Sequence, residues 1–368
     1  MIRGHKIRLY PNDKQATYFA KACGVARFAY NWGLTEWKLR YETGEQVTES
    51  KLRKALNAIK REQYPWMLEV TKCAPQLAIK NDLNKAFQNF FAKRAEFPKY
   101  HKKGIHDSFS ISNDQFEIQE KKAWIPLIGW VNMAEELRFD GKIIGAAISR
   151  RAEQWYIAIQ VEMPDTTLPT HTCESQAVGV DLGVKALATL SNGTVISGTK
   201  AGKQCAKKLR RLNQELSRRQ GARKGEDRSA NFKKTKRKIA RLYSKMANIR
   251  ANETHQLITR LTREYGLIGV EDLDVQGMMS DHSLARSIAD MRFYEFRRQL
   301  EYKAGSTGTK IVVADRWFPS SKLCSACGQT NDALELSDRE WTCGKCGTHH
   351  DREVNAAKNL KNYALQTT

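Results

Sequence analysis

The apolar positions change period twice within the first hundred residues. Lys6 to Tyr10 (KIRLY) alternates and predicts a short strand, broken by Pro11. Asn12 and Gln15 stand three residues apart as in a capping box, so a helix is expected to begin there. Phe19, Ala22, Cys23, Ala26, Tyr30, Trp32 and Leu34 follow a loose helical period until Gly44, and Thr48 to Arg61 predicts a second helix before Pro65. From Ala74 onward Leu77, Leu83, Ala86, Phe87 and Phe90 recur at three- and four-residue spacing, so 11–95 reads as a small helical domain.

The texture then turns to short β-branched and aromatic runs split by Gly and Asp turns: SFSISND, QFEIQ, AWIPLIGWVNM, KIIGAAISRR and WYIAIQVEM. This predicts a β-rich domain, with the N-terminal strand as a member, ending at the linker-like PDTTLPTHTCESQ. Beyond it come a buried strand and hairpin (AVGVDLGVKALATLSNGTVIS), two long basic helices around Lys203–Arg219 and Asn231–Arg263, and the apolar strand GLIGVEDL. A helix around Ile288–Ala304, the strand TKIVVAD, a cysteine-rich segment and a last helix from Asp351 complete the chain. Strands mixed with helices in this order predict an α/β core interrupted by insertions.

Charge narrows the partners. Lys and Arg total 62 against 40 acids, a formal net charge of +22. Between Lys200 and Arg250 there are 19 basic residues and only Glu215, Glu226 and Asp227 as acids, a net of +16 in one segment. Intrahelical ion pairs cannot use such an imbalance, and a stripe of Leu209, Leu212, Leu216, Ile239, Leu242, Met246 and Ile249 lets these helices pack while their other faces meet phosphates. Lys207, Lys208, Arg210 and Arg211 are the candidate nucleic-acid contacts. No run approaches the roughly 18 to 20 apolar residues of a membrane span, and the N-terminus lacks the apolar centre of a signal peptide, so a cytoplasmic protein is expected.

Of the eight cysteines, Cys23, Cys73, Cys173 and Cys205 are scattered and read as packed thiols. The other four, Cys324, Cys327, Cys343 and Cys346, form C-x2-C-x15-C-x2-C with a glycine after each pair, the spacing of a four-thiolate structural zinc ribbon. His349 and His350 read as flanking residues, since four thiolates already saturate the ion. Three acids stand where a ribonuclease H-type nuclease would place them: Asp181 ends AVGVD, Glu271 ends LIGVE, and Asp351 opens DREVNAAKNL. Hard oxygen ligands at strand ends and a helix start could converge on two magnesium ions. Asp351 taken alone reads more readily as a plain helix N-cap, but an acid ending a buried apolar strand, as Asp181 and Glu271 do, is costly unless paired or metal-bound.

Taken together, RFAYNWGL, FPKYHKK, GVDLGVKALAT, IGVEDL, FPSSKLCSACG and WTCGKCGTHHDREVNAAKNL resemble the TnpB family, transposon-encoded RNA-guided nucleases regarded as ancestral to type V CRISPR effectors. The resemblance covers nearly the whole chain. It implies a multidomain α+β protein: a helical recognition domain (11–95) inserted in a wedge-type β-barrel (1–10 and 96–170), then a RuvC-like, ribonuclease H-like α/β nuclease domain (171–320 and 349–368) with a zinc-ribbon insertion (321–348). It also implies an RNA-guided, magnesium-dependent endonuclease that cuts double-stranded DNA beside a short flanking motif and supports transposon maintenance. Asp181, Glu271 and Asp351 would be the catalytic acids holding two magnesium ions, with one zinc on the four cysteines. The implied partners are one guide RNA per chain, derived from the transposon end, and target DNA, in a nucleoid-associated cytoplasmic protein. Glu353 stands where many members carry Asp. Cut-and-paste transposases of the same superfamily order their acids Asp, Asp, Glu, whereas the order here is Asp, Glu, Asp. A non-enzymatic regulator would use the acids only structurally, and cleavage with and without magnesium separates the two.

Overall fold

The computed structural model describes residues 1–105, 107–164, 176–220, 228–280, 285–335 and 337–368. The chain forms two compact units, Met1–Asp165 and Thr166–Thr368. Most of the linker-like stretch, Cys173 included, lies outside the described residues.

The first unit joins helices and strands around one core. Its seven strands are β1 (Ile2–Tyr10), β2 (Ser108–Ser112), β3 (Glu117–Gln119), β4 (Lys122–Ile125), β5 (Gly129–Met133), β6 (Lys142–Arg151) and β7 (Gln154–Glu162). They pair antiparallel in the order β2-β6-β7-β1-β5-β4-β3. β1 reaches back to Ile2, four residues before the alternating run, because β7 offers a matching ladder from Trp155 to Glu162. Helix α1 (Asp13–Glu42) starts at the Asn12/Gln15 capping box, with both reciprocal hydrogen bonds present. Its Phe19 meets Trp155 at a ring-centroid distance of 5.1 Å and Phe109 at 6.0 Å, so helix and sheet share one apolar cluster. Thr48 caps α2 (Glu49–Gln63); α3 (Cys73–Leu77) then runs through the π-helical segment Ala78–Leu83 into α4 (Asn84–Phe91).

The second unit is built on a five-stranded sheet. Its strands are β8 (Ala177–Asp181), β9 (Ala188–Leu190), β10 (Val195–Ile196), β11 (Leu267–Glu271) and β12 (Lys310–Ala314), in the order β10-β9-β8-β11-β12. β8, β11 and β12 run parallel, whereas β9 and β10 return antiparallel around Gly193, whose φ is +85°. Two long helices, α5 (Ala201–Arg218) and α6 (Ala230–Glu264), stand between β10 and β11 in the chain. After α7 (Val275–Ser280), the helix expected over 288–304 is two: α8 (Ala285–Met291) and α9 (Phe293–Thr307). They part at Arg292, which takes a left-handed φ of +55° that a continuing helix cannot accommodate. α10 (Arg352–Thr367) ends the chain, and β13 (Glu340–Thr342) pairs with β14 (His349–Asp351) in a small separate ribbon. No helix among the described residues is long and apolar enough to cross a membrane.

The sheet is covered on both faces, and this explains the uninterrupted apolar runs AVGV and LIGV. Val178, Val180, Ile268 and Val270 point into a cluster with Leu257 and Leu261 of α6 and Phe296 and Leu300 of α9. The alternate residues face α10: Ala177 and Leu267 share a cluster with Ala364. Between them, Gly179 and Gly269 lie opposite each other in register. A Cβ on Gly179 would run into the Ala357 carbonyl oxygen and stand 2.5 Å from the Lys361 amide nitrogen, and one on Gly269 would collide with the Leu360 carbonyl. The two glycines therefore set how closely α10 lies on the sheet. Gly179→Ala or Gly269→Ala should lower unfolding stability by about 1 to 3 kcal/mol by forcing this backbone contact apart. Gly305→Ala, in α9 with no atom near the added methyl, should be neutral or stabilising by up to about 1 kcal/mol. Urea denaturation of the three variants checks the contrast; equal effects at all three would remove the close-approach argument.

Candidate active site

Asp181 and Glu271 end β8 and β11, neighbouring parallel strands in which Val180 pairs with Val270. Adjacent strands lie about 4.8 Å apart, so the two carboxylates emerge side by side at the carboxyl ends of the strands, where open α/β sheets bind ligands. Asp351 enters from α10. It is the N-cap of that helix, its Oδ1 accepting the Val354 amide at 2.9 Å, so capping and proximity to the other acids occur in one residue. Glu271 accepts a hydrogen bond from the Ser320 hydroxyl.

A fourth acid joins them. Glu353 takes a hydrogen bond from the Thr189 hydroxyl at 3.4 Å and pairs with Arg339 at 3.4 Å. Burial, then the negative charges of Glu271 and Glu353, push the Asp181 carboxyl up to about 8, with Arg352 opposing and Asp351 adding to the rise. Crowded acids that force a neighbour to keep its proton make a place where a cation is favourable, and the donor set is the hard-oxygen kind that suits magnesium. These acids gather around Asp181 more loosely than a closed ligand cage. Among the described residues, the group of ligand-type side chains whose atoms all lie within 4.8 Å of one another is the cysteine cluster. Glu353 stands two residues after Asp351, in the first turn of α10.

The cysteines form two equivalent knuckles. In each, the amide of the glycine after the pair donates to the first cysteine's carbonyl at 2.9 Å: Gly328 to Cys324, and Gly347 to Cys343. Both glycines have φ above +70°, a conformation glycine adopts without strain. The Sγ atoms of Cys324 and Cys346 are 3.7 Å apart and those of Cys327 and Cys343 3.6 Å. A tetrahedron of metal–sulfur bonds of about 2.3 Å has edges of about 3.8 Å, so the four sulfurs fit one zinc ion. The Thr348 hydroxyl and amide lower the Cys346 thiol to about 6, toward the thiolate a metal needs.

His350 is more than a flanking residue. It is buried, packs on Trp341 at 4.8 Å and brings Nε2 within 3.1 Å of Cys324 Sγ. His349 is exposed. The cysteine ribbon is also tied to α10 by two asparagines of the HHDREVNAAKNL run, Asn355 and Asn359, whose bonding role the sequence did not show. Asn355 is fully buried; its Oδ1 accepts the Ser325 amide at 3.0 Å and its Nδ2 donates to the Leu323 carbonyl at 2.7 Å. One turn later Asn359 donates to the carbonyls of Ser320 (2.7 Å) and Leu323 (2.6 Å). Thus the loop entering the ribbon is bonded to the helix that carries Asp351, and Ser320 of the same loop holds Glu271.

Elsewhere in this unit α5 and α6 pack through Leu209, Leu212, Leu216, Ile239, Leu242, Met246 and Ile249, as the apolar stripe predicted. Lys207, Lys208, Arg210 and Arg211 are all exposed. A groove of about 420 Å³ between the helices is lined by Lys208 and Arg211 with Lys238, Arg241 and Lys245. Lys207 and Arg210 lie on the same helix outside that lining.

Residues 158–281 match a family described as "Probable transposase", residues 293–360 the "Cas12f1-like, TNB domain", and residues 1–46 a "Helix-turn-helix domain". A candidate RNA-guided DNA endonuclease of Streptomyces pristinaespiralis is 38% identical over 97% of this chain and 88% of its own length. InsQ of Escherichia coli, another candidate RNA-guided DNA endonuclease, is 31% identical over 98% of this chain and 91% of its own. In fold the chain is similar to the protein in a Cas12f1–sgRNA–target DNA complex, with a TM-score of 0.61 and 16% identity, covering 95% of this chain and 83% of that one. On this relationship the chain belongs to the TnpB family.

Proposed function

We propose that the protein is an RNA-guided, magnesium-dependent endonuclease, encoded by a transposon, that cuts double-stranded DNA beside a short flanking motif and so supports transposon maintenance. The observation that carries the reading is the meeting of Asp181 and Glu271 at neighbouring strand ends with Asp351 arriving on α10. The second unit is read as the RuvC-like domain (171–320 and 349–368) with its zinc-ribbon insertion (321–348). In the first, the β-strands (1–10 and 96–170) are read as the wedge-type domain and the helices (11–95) as the recognition domain.

Asp181, Glu271 and Asp351 are the groups that would hold two magnesium ions, which when bound supply an activated water and a stabilised leaving oxygen for phosphodiester hydrolysis. Within the chain, Ser320 orients the Glu271 carboxylate and the Val354 amide orients that of Asp351. Glu353 adds negative charge beside Asp181. The four cysteines would hold one structural zinc. The guide RNA, derived from the transposon end and bound one per chain, would lie on the basic α5/α6 surface, where phosphate contact supplies affinity without selecting sequence. The guide's base pairing then selects the DNA target.

Replacing Asp181, Glu271 or Asp351 with Ala should abolish magnesium-dependent DNA cleavage while leaving guide-directed DNA binding within about threefold of wild type, because the basic surfaces carry the affinity. Cleavage at the wild-type rate by any one variant removes that residue from the site. Elemental analysis should find one zinc per chain. Cys343→Ser should lose it and loosen residues 321–350 first, since metal binding and ribbon folding are linked; a protein purified with iron or no metal contradicts this. Reversing the charge of Lys207, Lys208, Arg210 and Arg211 together should weaken RNA retention and reduce the log–log salt slope by roughly 0.7 to 0.9 per lost phosphate contact. Filter binding at several salt concentrations gives the slope. An unchanged slope would mark these residues as a solvated face, and sequence-specific cutting without any guide would overturn the RNA-guided reading.

A further inference from the structure

One buried side chain of the ribbon faces the cysteine cluster without belonging to it. His350 is 5% exposed, and its Nε2 lies 3.1 Å from the Sγ of Cys324, itself 1% exposed. The four sulfurs gather within 4.8 Å of one another, and His350 is not in that group. Its ring therefore meets Cys324 from outside the coordination sphere, which four thiolates fill. His349, the neighbour on β14, turns the other way: it is exposed, with Nδ1 3.2 Å from the Thr342 hydroxyl and Nε2 3.5 Å from Glu340.

The other three sulfurs are reached by donors of their own knuckles. The Gln329 amide donates to Cys327, the Lys345 and Cys346 amides to Cys343, and the Thr348 amide and hydroxyl to Cys346. Cys324 is reached from 26 residues away in the chain. The pairing of β13 with β14 makes that reach, since it sets His350 opposite Trp341, whose indole lies 4.8 Å from the imidazole at an angle of 41°. Next to Cys324, the Ser325 amide is bound by Asn355. This cysteine is thus fastened to the chain on both sides of the α10 N-cap, its sulfur to the residue before Asp351 and the following amide to a residue after it.

Four thiolates outweigh the charge of one zinc ion, so the loaded cluster is a buried anion. A buried thiolate has lone pairs and no proton, and without water around it a hydrogen-bond donor lowers its cost. An imidazole nitrogen held this close to it must carry a hydrogen, because a bare lone pair would face the sulfur's own. That places the ring proton on Nε2. We propose that His350 is a positioning residue of the zinc site: its Nε2–H donates to the metal-bound Cys324 thiolate and fastens to the cluster the strand that leads into Asp351. Groups of this kind orient metal ligands and slow the loss of the metal. The use of Asp351 in catalysis rests on the nuclease reading given above, whereas the bond to the thiolate does not. A ring that merely packed on Trp341 would serve equally well with carbon in place of nitrogen.

The test compares zinc-loaded, full-length protein with two variants. His350→Phe keeps a ring against Trp341 and removes the donor; His350→Gln restores a donor on a side-chain amide. Zinc transfer to excess chelator should be about tenfold to a hundredfold faster in the Phe variant, the range for a lost outer partner of a metal ligand, and the Gln variant should recover most of that difference. With cobalt in place of zinc, the sulfur-to-metal charge-transfer bands of the Phe variant should move to longer wavelength, because a thiolate without its donor is richer in electrons. Exchange of the Val354 amide, which is bonded to Asp351, should be faster in the zinc-saturated Phe variant while the β8 and β11 amides stay protected. In wild type, nitrogen-15 labelling of histidine should show His350 protonated on Nε2, a measurement that decides the matter alone if the Phe variant does not fold. Zinc release, cobalt bands or Val354 exchange equal to wild type in the Phe variant would overturn the proposal, as would a wild-type proton on Nδ1. None of these readouts involves DNA cleavage, so they stand apart from any failure of the nuclease reading.

Discussion

The contact of α10 with Gly179 and Gly269 is the constraint on which the rest of the second unit depends. Two glycines in register on neighbouring strands leave no side chain between sheet and helix at that point, so backbone meets backbone there and the position of α10 is fixed. Everything the helix carries is fixed with it: Asp351 at its N-cap, Glu353 in its first turn, and Asn355 and Asn359 on the face that meets the ribbon loop. The asparagines are buried with their amides bonded to backbone carbonyls, and removing such a partner costs about 1 to 3 kcal/mol because the buried group left behind is unsatisfied. The cysteine ribbon, a helix and the two strands beneath it are thereby held as one object.

The same unit keeps its two electrostatic tasks apart. The excess of basic residues is concentrated on α5 and α6, whose exposed faces and groove attract polyanions. The acids are gathered at the carboxyl ends of β8 and β11, where burial and like charge leave Asp181 reluctant to ionise. On the proposed reading, binding energy is supplied over a wide surface while reactive groups occupy a small one.

Local features were legible in the sequence, and features made by tertiary contact were not. The Asn12/Gln15 capping box, the Gly193 turn and the C-x2-C pairs are each written within a few residues, so their geometry followed from spacing. The edges of β1 and the break at Arg292 depend on partners elsewhere in the fold: a ladder on β7 in one case, and packing of α8 and α9 in the other. Asp181 and Glu271 stood out because an acid ending a buried strand is anomalous. Asn359 did not, because a polar residue on a helix is ordinary until burial makes it expensive, and Glu353 and Asn355 stood in the DREVNAAKNL run without their contacts being visible. Gly179 and Gly269 read as parts of apolar strands, and their purpose appears only against the Ala357 and Leu360 carbonyls. His350 looked like a spare beside four sufficient ligands; its contact with Cys324 is a product of the β13/β14 pairing.

The central claim is that the cysteine ribbon, through the asparagines of α10, sets the position of Asp351. Hydrogen exchange at two amides tests it most directly: Ser325, bonded to Asn355 Oδ1, and Val354, bonded to Asp351 Oδ1. Stripping zinc with a chelator should accelerate exchange at both while leaving the β8 and β11 amides protected, because the sheet does not need the ribbon to stay folded. Unchanged protection at Val354 after complete loss of zinc would mean that the helix start holds itself, and that the ribbon has no part in placing the acid.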